Sequence, residues 1–67
     1  MMKLSDYAGK KVKIVDADNI IYTGFVYGYT KAEDNDENED SIDVIPTRNS
    51  TEGVELFESE IKSIEII

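Results

Sequence analysis

The chain contains no cysteine, no histidine and a single proline in 67 residues. Without cysteine there is no disulfide framework, and without cysteine or histidine there is no zinc site of the Cys/His kind. The same absences remove the commonest general base and the strongest nucleophile, leaving only carboxylate, hydroxyl and lysine chemistry. Also missing are an apolar run long enough to cross a bilayer and a charged-then-apolar leader, so the expected location is cytoplasmic, with no membrane partner. A chain this short is one domain, residues 1–67, near the lower size at which a chain without cross-links folds alone. Its stability must come from apolar packing, supplemented by association with further subunits.

Charge is abundant and unevenly placed. The net charge is −8, and six carboxylates fall within residues 31–40: Glu33, Asp34, Asp36, Glu37, Glu39 and Asp40. The other nine acids face seven bases, so the body of the chain is close to neutral. The acid-rich segment has no apolar pattern and is expected to be a mobile, solvated loop, dispensable for folding. Its Asp34-x-Asp36-x-Asn38 run imitates the first half of a calcium loop. Glu39 stands where the sharp turn needs glycine, however, and Ile45 where the closing glutamate should be, so no metal site is expected. Asn49-Ser50-Thr51 matches a glycosylation acceptor, a chance match in the absence of a secretory route. Lys10, Lys11 and Lys13 form the one candidate basic patch.

The remaining sequence is organised by period-two alternation. Apolar residues between Met2 and Ala8 recur at roughly helical spacing, and Gly9 follows where a left-handed cap is favourable, which predicts one short N-terminal helix. Residues 10–16 alternate with Val12 and Ile14 on one face and lysines on the other, a half-buried strand. Asp16-Ala17-Asp18-Asn19 supplies turn formers for a hairpin. A long second strand, 20–30, is rich in aromatic and β-branched residues. Its Gly24 and Gly28, four apart, are expected to share a face with Tyr22 and Val26 and to mark a sharp bend. A third strand over 41–45 places Ile42 and Val44 inward and ends at Pro46. After a loop over 47–53 come a short strand at 54–57, a tight 3₁₀-type turn at 58–60 and a fifth strand over 61–67. The expected core is Val12, Ile14, Val26, Ile42, Val44, Leu56, Ile61, Ile64 and Ile66.

This order of elements is mostly β, and the chain resembles the Sm-like proteins, a group within the SH3-like barrels. The residues that carry the resemblance are Gly9-Lys10-x-Val12, the turn at Asp18-Asn19, Tyr22-x-Gly24-x-Val26, the Asn35 region, and Phe57 to Ile61. The ending Glu58-Ser59-Glu60-Ile61-Lys62-Ser63-Ile64-Glu65 is similar to that of short Sm-like proteins of low-GC Gram-positive bacteria and their mobile elements. The resemblance implies a five-stranded, strongly bent barrel that assembles into rings by pairing strand four of one subunit with strand five of the next. Val54, Glu55, Leu56 and Phe57 would form one such edge, and Ile64, Ile66 and Ile67 the other.

In RNA-binding members of that family a base pocket combines an aromatic or polar residue and an asparagine after the second strand with an Arg-Gly pair before the fifth. Tyr29 and Asn35 match the first pair, but Phe57-Glu58 stands where Arg-Gly should be. The histidine-bearing signature of the bacterial Sm-like RNA chaperones is excluded by composition. A −8 chain also repels a polyanion, so RNA is the alternative rather than the leading partner. Tyr22, Phe25, Tyr27 and Tyr29 read chiefly as core or subunit contacts, ahead of a stacking platform or an aromatic cage for a peptide. Glu58 and Glu60 are neighbouring carboxylates without the cleft that paired-carboxylate hydrolysis requires, and read as turn and edge protection. The expected function is a non-enzymatic binding and assembly module, as a ring or dimer, without cofactor.

Overall fold

A computed structural model describes residues 3–46 and 53–67. The glycosylation-type triplet and most of the expected loop at 47–53 lie outside the described residues, as does Met2 of the expected helix. Five strands form one antiparallel sheet: β1 (Lys11–Asp16), β2 (Ile21–Thr30), β3 (Ser41–Pro46), β4 (Val54–Phe57) and β5 (Ile61–Ile66). Their spatial order is β4-β3-β2-β1-β5, so β4 and β5 are edges and the sheet is not closed in a single chain. The connection Glu58–Glu60 between β4 and β5 is a 3₁₀ turn, as its spacing predicts.

The N-terminal helix is corrected to a single 3₁₀ turn, Leu4–Tyr7. Seven or so residues are too few to offset the cost of nucleating an α-helix. The turn still serves the core, because Leu4 is fully buried among the sheet's inner side chains. Gly9 follows with φ +78°, the left-handed conformation glycine adopts without penalty.

The inner face is built by alternation. Val12, Ile14, Val26, Ile42, Val44, Leu56 and Ile61 are buried, and Ile64, Tyr7, Tyr22 and Tyr29 pack partly against them. Ile66 is corrected. It lies directly opposite Val12 and so shares the inner face, yet it is 56% exposed because no strand among the described residues covers the sheet beyond β5.

The expected face assignment of β2 holds only for its first half. Val26 pairs with Val44 but Gly28 pairs with Asp43, so one extra residue is inserted at Tyr27 and the alternation changes phase. Before the bulge Tyr22, Gly24 and Val26 face inward; after it Tyr29, opposite Ile42, packs on the core. Gly28 therefore does not share a face with Gly24, and lies against the Asp43 carboxylate on the outer side. Gly24 marks the bend, since a Cβ there would overlap the backbone carbonyl of Ile45 on β3.

The β1–β2 hairpin is held by one buried side chain. Asp16 Oδ1 accepts the backbone N–H of Asp18 at 2.9 Å and of Ile20 at 2.8 Å, while Oδ2 accepts the Tyr22 hydroxyl at 3.1 Å. Asn19 takes the left-handed conformation at φ 64° that closes the turn.

Candidate functional site

The residues proposed for a nucleotide pocket do converge. β2, the start of β3 and the end of β4 meet at one end of the sheet, where Tyr29 pairs with Ile42 and Ser41 with Phe57. The residue that joins them is Asp40. Its carboxylate accepts the Tyr29 hydroxyl at 3.1 Å and the Ala32 N–H at 2.8 Å, and its backbone carbonyl accepts the N–H of Glu58 at 2.9 Å. Asn35 donates through Nδ2 to the Glu39 carbonyl at 2.7 Å and to Ser41 Oγ at 2.9 Å. Ser41, fully buried, donates in turn to Glu55 Oε2 at 2.9 Å.

Residues 31–40 are therefore not a featureless loop. They hold a 3₁₀ turn at Ala32–Asp34 and fasten themselves to the rest of the sheet. Glu39 reaches the β4–β5 corner, where its carboxylate accepts the Ser59 N–H at 2.9 Å and the Ser59 hydroxyl at 3.0 Å. Ala32, Asn35, Glu39 and Asp40 are partly covered, while Lys31, Glu33, Asp34 and the tip at Asp36–Asn38 are left to solvent.

This corner is anionic. Burial, then the hydrogen bond to Asp40, and then the charges of Asp40 and Glu58 push the Tyr29 hydroxyl above the usual tyrosine range. Both N–H groups of the Asn35 amide and the Tyr29 hydroxyl hydrogen are already donated inside the chain, so a base arriving here would have to displace them. Among the described residues no cavity opens at this end, and no group of three or more acidic side chains converges as a cation site.

The two edges differ in what they offer. The Glu58 N–H points at β3, so by alternation those of Leu56 and Val54 do too, while the peptide groups of Glu55 and Phe57 point outward. The Phe57 N–H is capped by Glu60 Oε1 at 3.0 Å, leaving Glu55 as the open position of β4. On β5 the Ile67 N–H bonds to Lys11, which turns the peptide groups of Ile64 and Ile66 outward. Ile66 and Ile67 are each 56% exposed beside them.

The three lysines do not form one patch. Lys11 and Lys13 project from the outer face of β1, opposite Phe25 and Thr23, whereas Lys10 precedes the strand in phase with Val12. The four aromatics of β2 also divide: Tyr22 and Tyr29 pack on the core, but Phe25 and Tyr27 are exposed on the other side. Sequence reasoning missed Asp40, Ser41, Asp16 and Leu4 as organising residues. Three of these are polar residues whose partners lie on other strands or across a turn, which a period-two pattern does not register.

No family model, curated protein or solved structure matches this chain.

Proposed function

We propose that the chain is a non-enzymatic, Sm-like assembly module that engages copies of itself and other proteins through its β4 and β5 edges. In this reading the bent five-stranded sheet with its 3₁₀ turns is an SH3-like barrel of Sm type whose last seam is made between subunits. The observation that carries it is Ile66. It shares the inner face with Val12, stands on an edge strand whose outward peptide groups are unpaired among the described residues, and is left half in water. Covering it with the β4 edge of a neighbour, offered at Glu55, would continue the sheet and remove an aggregation-prone edge.

The test is the mass in solution. Sedimentation equilibrium over a hundredfold concentration range should give an oligomer, and a mass fixed near 7.6 kDa would refute the reading. Glu55→Pro removes an outward donor of β4 without touching the backbone bonds that β4 makes to β3, so it should abolish edge pairing, while Glu55→Ala, which loses the same Ser41–Glu55 side-chain bond but keeps the outward donor, should not.

The RNA alternative is disfavoured by the anionic corner, by Phe57-Glu58 in place of a cationic clamp, and by the internally engaged Tyr29 and Asn35. Binding of a U-rich or A-rich oligonucleotide below micromolar at physiological salt, lost on Tyr29→Ala, would reinstate it.

A further inference from the structure

Any strand added at the β4 edge is laid beside two like charges. Glu55, the open position of that edge, is directly opposite Asp43 of β3, and both side chains stand on the outer face, since their neighbours Ile42, Val44 and Leu56 are buried on the inner one. Glu55 accepts the Ser41 hydroxyl, whereas Asp43 has no hydrogen-bond partner among the described residues. Neither carboxylate meets a cation there, the one ion pair among these residues being Lys31–Glu33. On β2 the group facing Asp43 is Gly28, and the Tyr27 hydroxyl lies nearby against Gly53. Lys11 and Lys13 of β1 stand opposite Phe25 and Thr23, two strands from Asp43, at least about 10 Å by strand spacing.

Resting on the edge-assembly reading above, we propose that the Asp43–Glu55 pair makes pairing at the β4 edge proton-linked: the seam takes up a proton as it forms, so assembly tightens as the pH falls. In an antiparallel seam the residue that exchanges hydrogen bonds with Glu55 must also turn its peptide groups outward, and on β5 those residues are Ile64 and Ile66. Residues directly opposite each other put their side chains on the same surface. An isoleucine of the neighbour is therefore laid against the two carboxylates. The charged groups of that β5 bring no relief: Glu65 falls on the opposite surface from Ile64 and Ile66, and Lys62 is engaged with Asn19 Oδ1 at 2.8 Å. Apolar cover disfavours the charged form of a carboxyl and a like charge beside it does the same, so protons bind more tightly in the assembled state than in the free chain. Asp43 moves in that direction already within one chain, where burial and then the charge of Glu55 raise it.

Sedimentation equilibrium between about pH 8 and pH 5.5, above the range where ordinary carboxyls titrate, reads this linkage. The dissociation constant of the wild-type assembly should fall about tenfold over that interval, one proton taken up per seam allowing at most a tenfold change per pH unit. Asp43→Asn/Glu55→Gln keeps the outward N–H of residue 55 and removes both titrating groups. That double variant should assemble at about pH 8 as tightly as the wild type does at about pH 5.5, with no further change between them. Asp36→Asn/Glu37→Gln makes the same change in net charge at the tip of the acid-rich segment and should retain the wild-type slope, which separates the pair from a general fall in charge repulsion. The proposal is overturned if the wild-type constant is flat across the interval, if the Asp43/Glu55 variant keeps the slope, or if the Asp36/Glu37 variant loses it. A monomer at every pH would sink the edge-assembly reading as well, whereas an oligomer indifferent to pH sinks only the proton linkage.

Discussion

Asp43 stands directly opposite Glu55 across the β3–β4 pair, two like charges facing each other on the outer sheet surface. Gly28 on β2 lies against the Asp43 carboxylate from the other side, where a Cβ would come within 2.8 Å of Oδ2. Glu55 is partly relieved by the Ser41 hydroxyl. Asp43 is not so relieved by any hydrogen bond among the described residues, and burial, then the charge of Glu55, raise its carboxyl above the ordinary aspartate range.

The sign of the resulting pH dependence is fixed by that direction. A carboxyl with a raised folded-state pKa binds its proton more tightly when folded, so it adds stability at acid pH and loses it as pH rises through the folded value. Asp43→Asn removes the charge at nearly constant shape. It should raise the melting temperature at pH 7, and the gain should vanish as the pH falls below the ordinary aspartate range, where the wild-type carboxyl is protonated folded and unfolded alike. Thermal melts of both proteins across that range check it; equal melting temperatures at pH 7 would show that the Asp43–Glu55 repulsion is screened out.

Asp16 is expected to be the costliest polar substitution. Its carboxylate satisfies two backbone donors of the β1–β2 turn and the Tyr22 hydroxyl while only 8% exposed. Asp16→Ala should lose about 2–3 kcal/mol, the scale of charged hydrogen bonds removed from partly buried donors, and Tyr22→Phe about 1 kcal/mol. Urea denaturation at pH 7 measures both. The hydrogen bond to Asp16, followed by burial and the same carboxylate's charge, also pushes the Tyr22 hydroxyl upward. Its ultraviolet titration should therefore move back toward the ordinary range in Asp16→Asn.

Much of this architecture is legible in the residues, and what is not has identifiable causes. The strands β1 and β4, the turn at Glu58–Glu60 and seven of the nine expected core positions follow from alternation, which is a local signal. The phase change at Tyr27 is not local: the bulge is defined by which β3 residues Val26 and Gly28 meet. Reading β2 as one uninterrupted alternation puts Gly28 on the wrong face and hides that Phe25 and Tyr27 are exposed. Alternation puts Ile66 correctly on the inner face and wrongly in the core, because whether an inner-face residue is covered depends on the closure of the sheet and not on its own strand. At the candidate site, the resemblance points to Tyr29, Asn35, Phe57 and Glu58, but the residue that connects them reads in the sequence as only one more acid. Asp40 bonds to Tyr29 eleven positions away, and nothing in its immediate neighbours signals that.

The acid-rich segment should consequently behave as two populations. Asp36 and Glu37 at the tip make no hydrogen bond among the described residues, and replacing both with serine should leave stability within about 0.5 kcal/mol. Asp40→Ala removes acceptors from Tyr29 and Ala32, and should cost about 1–2 kcal/mol. Excision of residues 34–39 removes the Asn35 and Glu39 bonds to Ser41 and Ser59 together, and should destabilise the chain although it lowers the negative charge. Chemical denaturation of the three variants separates these outcomes; a deletion variant as stable as the wild type would return the whole segment to the status of a solvated tether.

Leu4 tests how far the core extends past the sheet. It is fully buried although it belongs to a four-residue 3₁₀ turn, and β2 is the strand this turn packs against. Leu4 stands between Lys3 and Ser5 with no period-two alternation to support it, so its burial rests on the Gly9 reversal, whose N–H bonds to Val26 at 2.8 Å and brings the turn back over the sheet. Leu4→Ala should cost about 2–4 kcal/mol through lost burial and the cavity left behind. For a domain this small, that is a large share of a total stability of a few kcal/mol. Circular dichroism melts of Leu4→Ala beside Leu4→Met distinguish packing from mere hydrophobicity: Met, similar in volume, should stay within about 1.5 kcal/mol of wild type, whereas a fully stable alanine variant would place the turn outside the cooperative core.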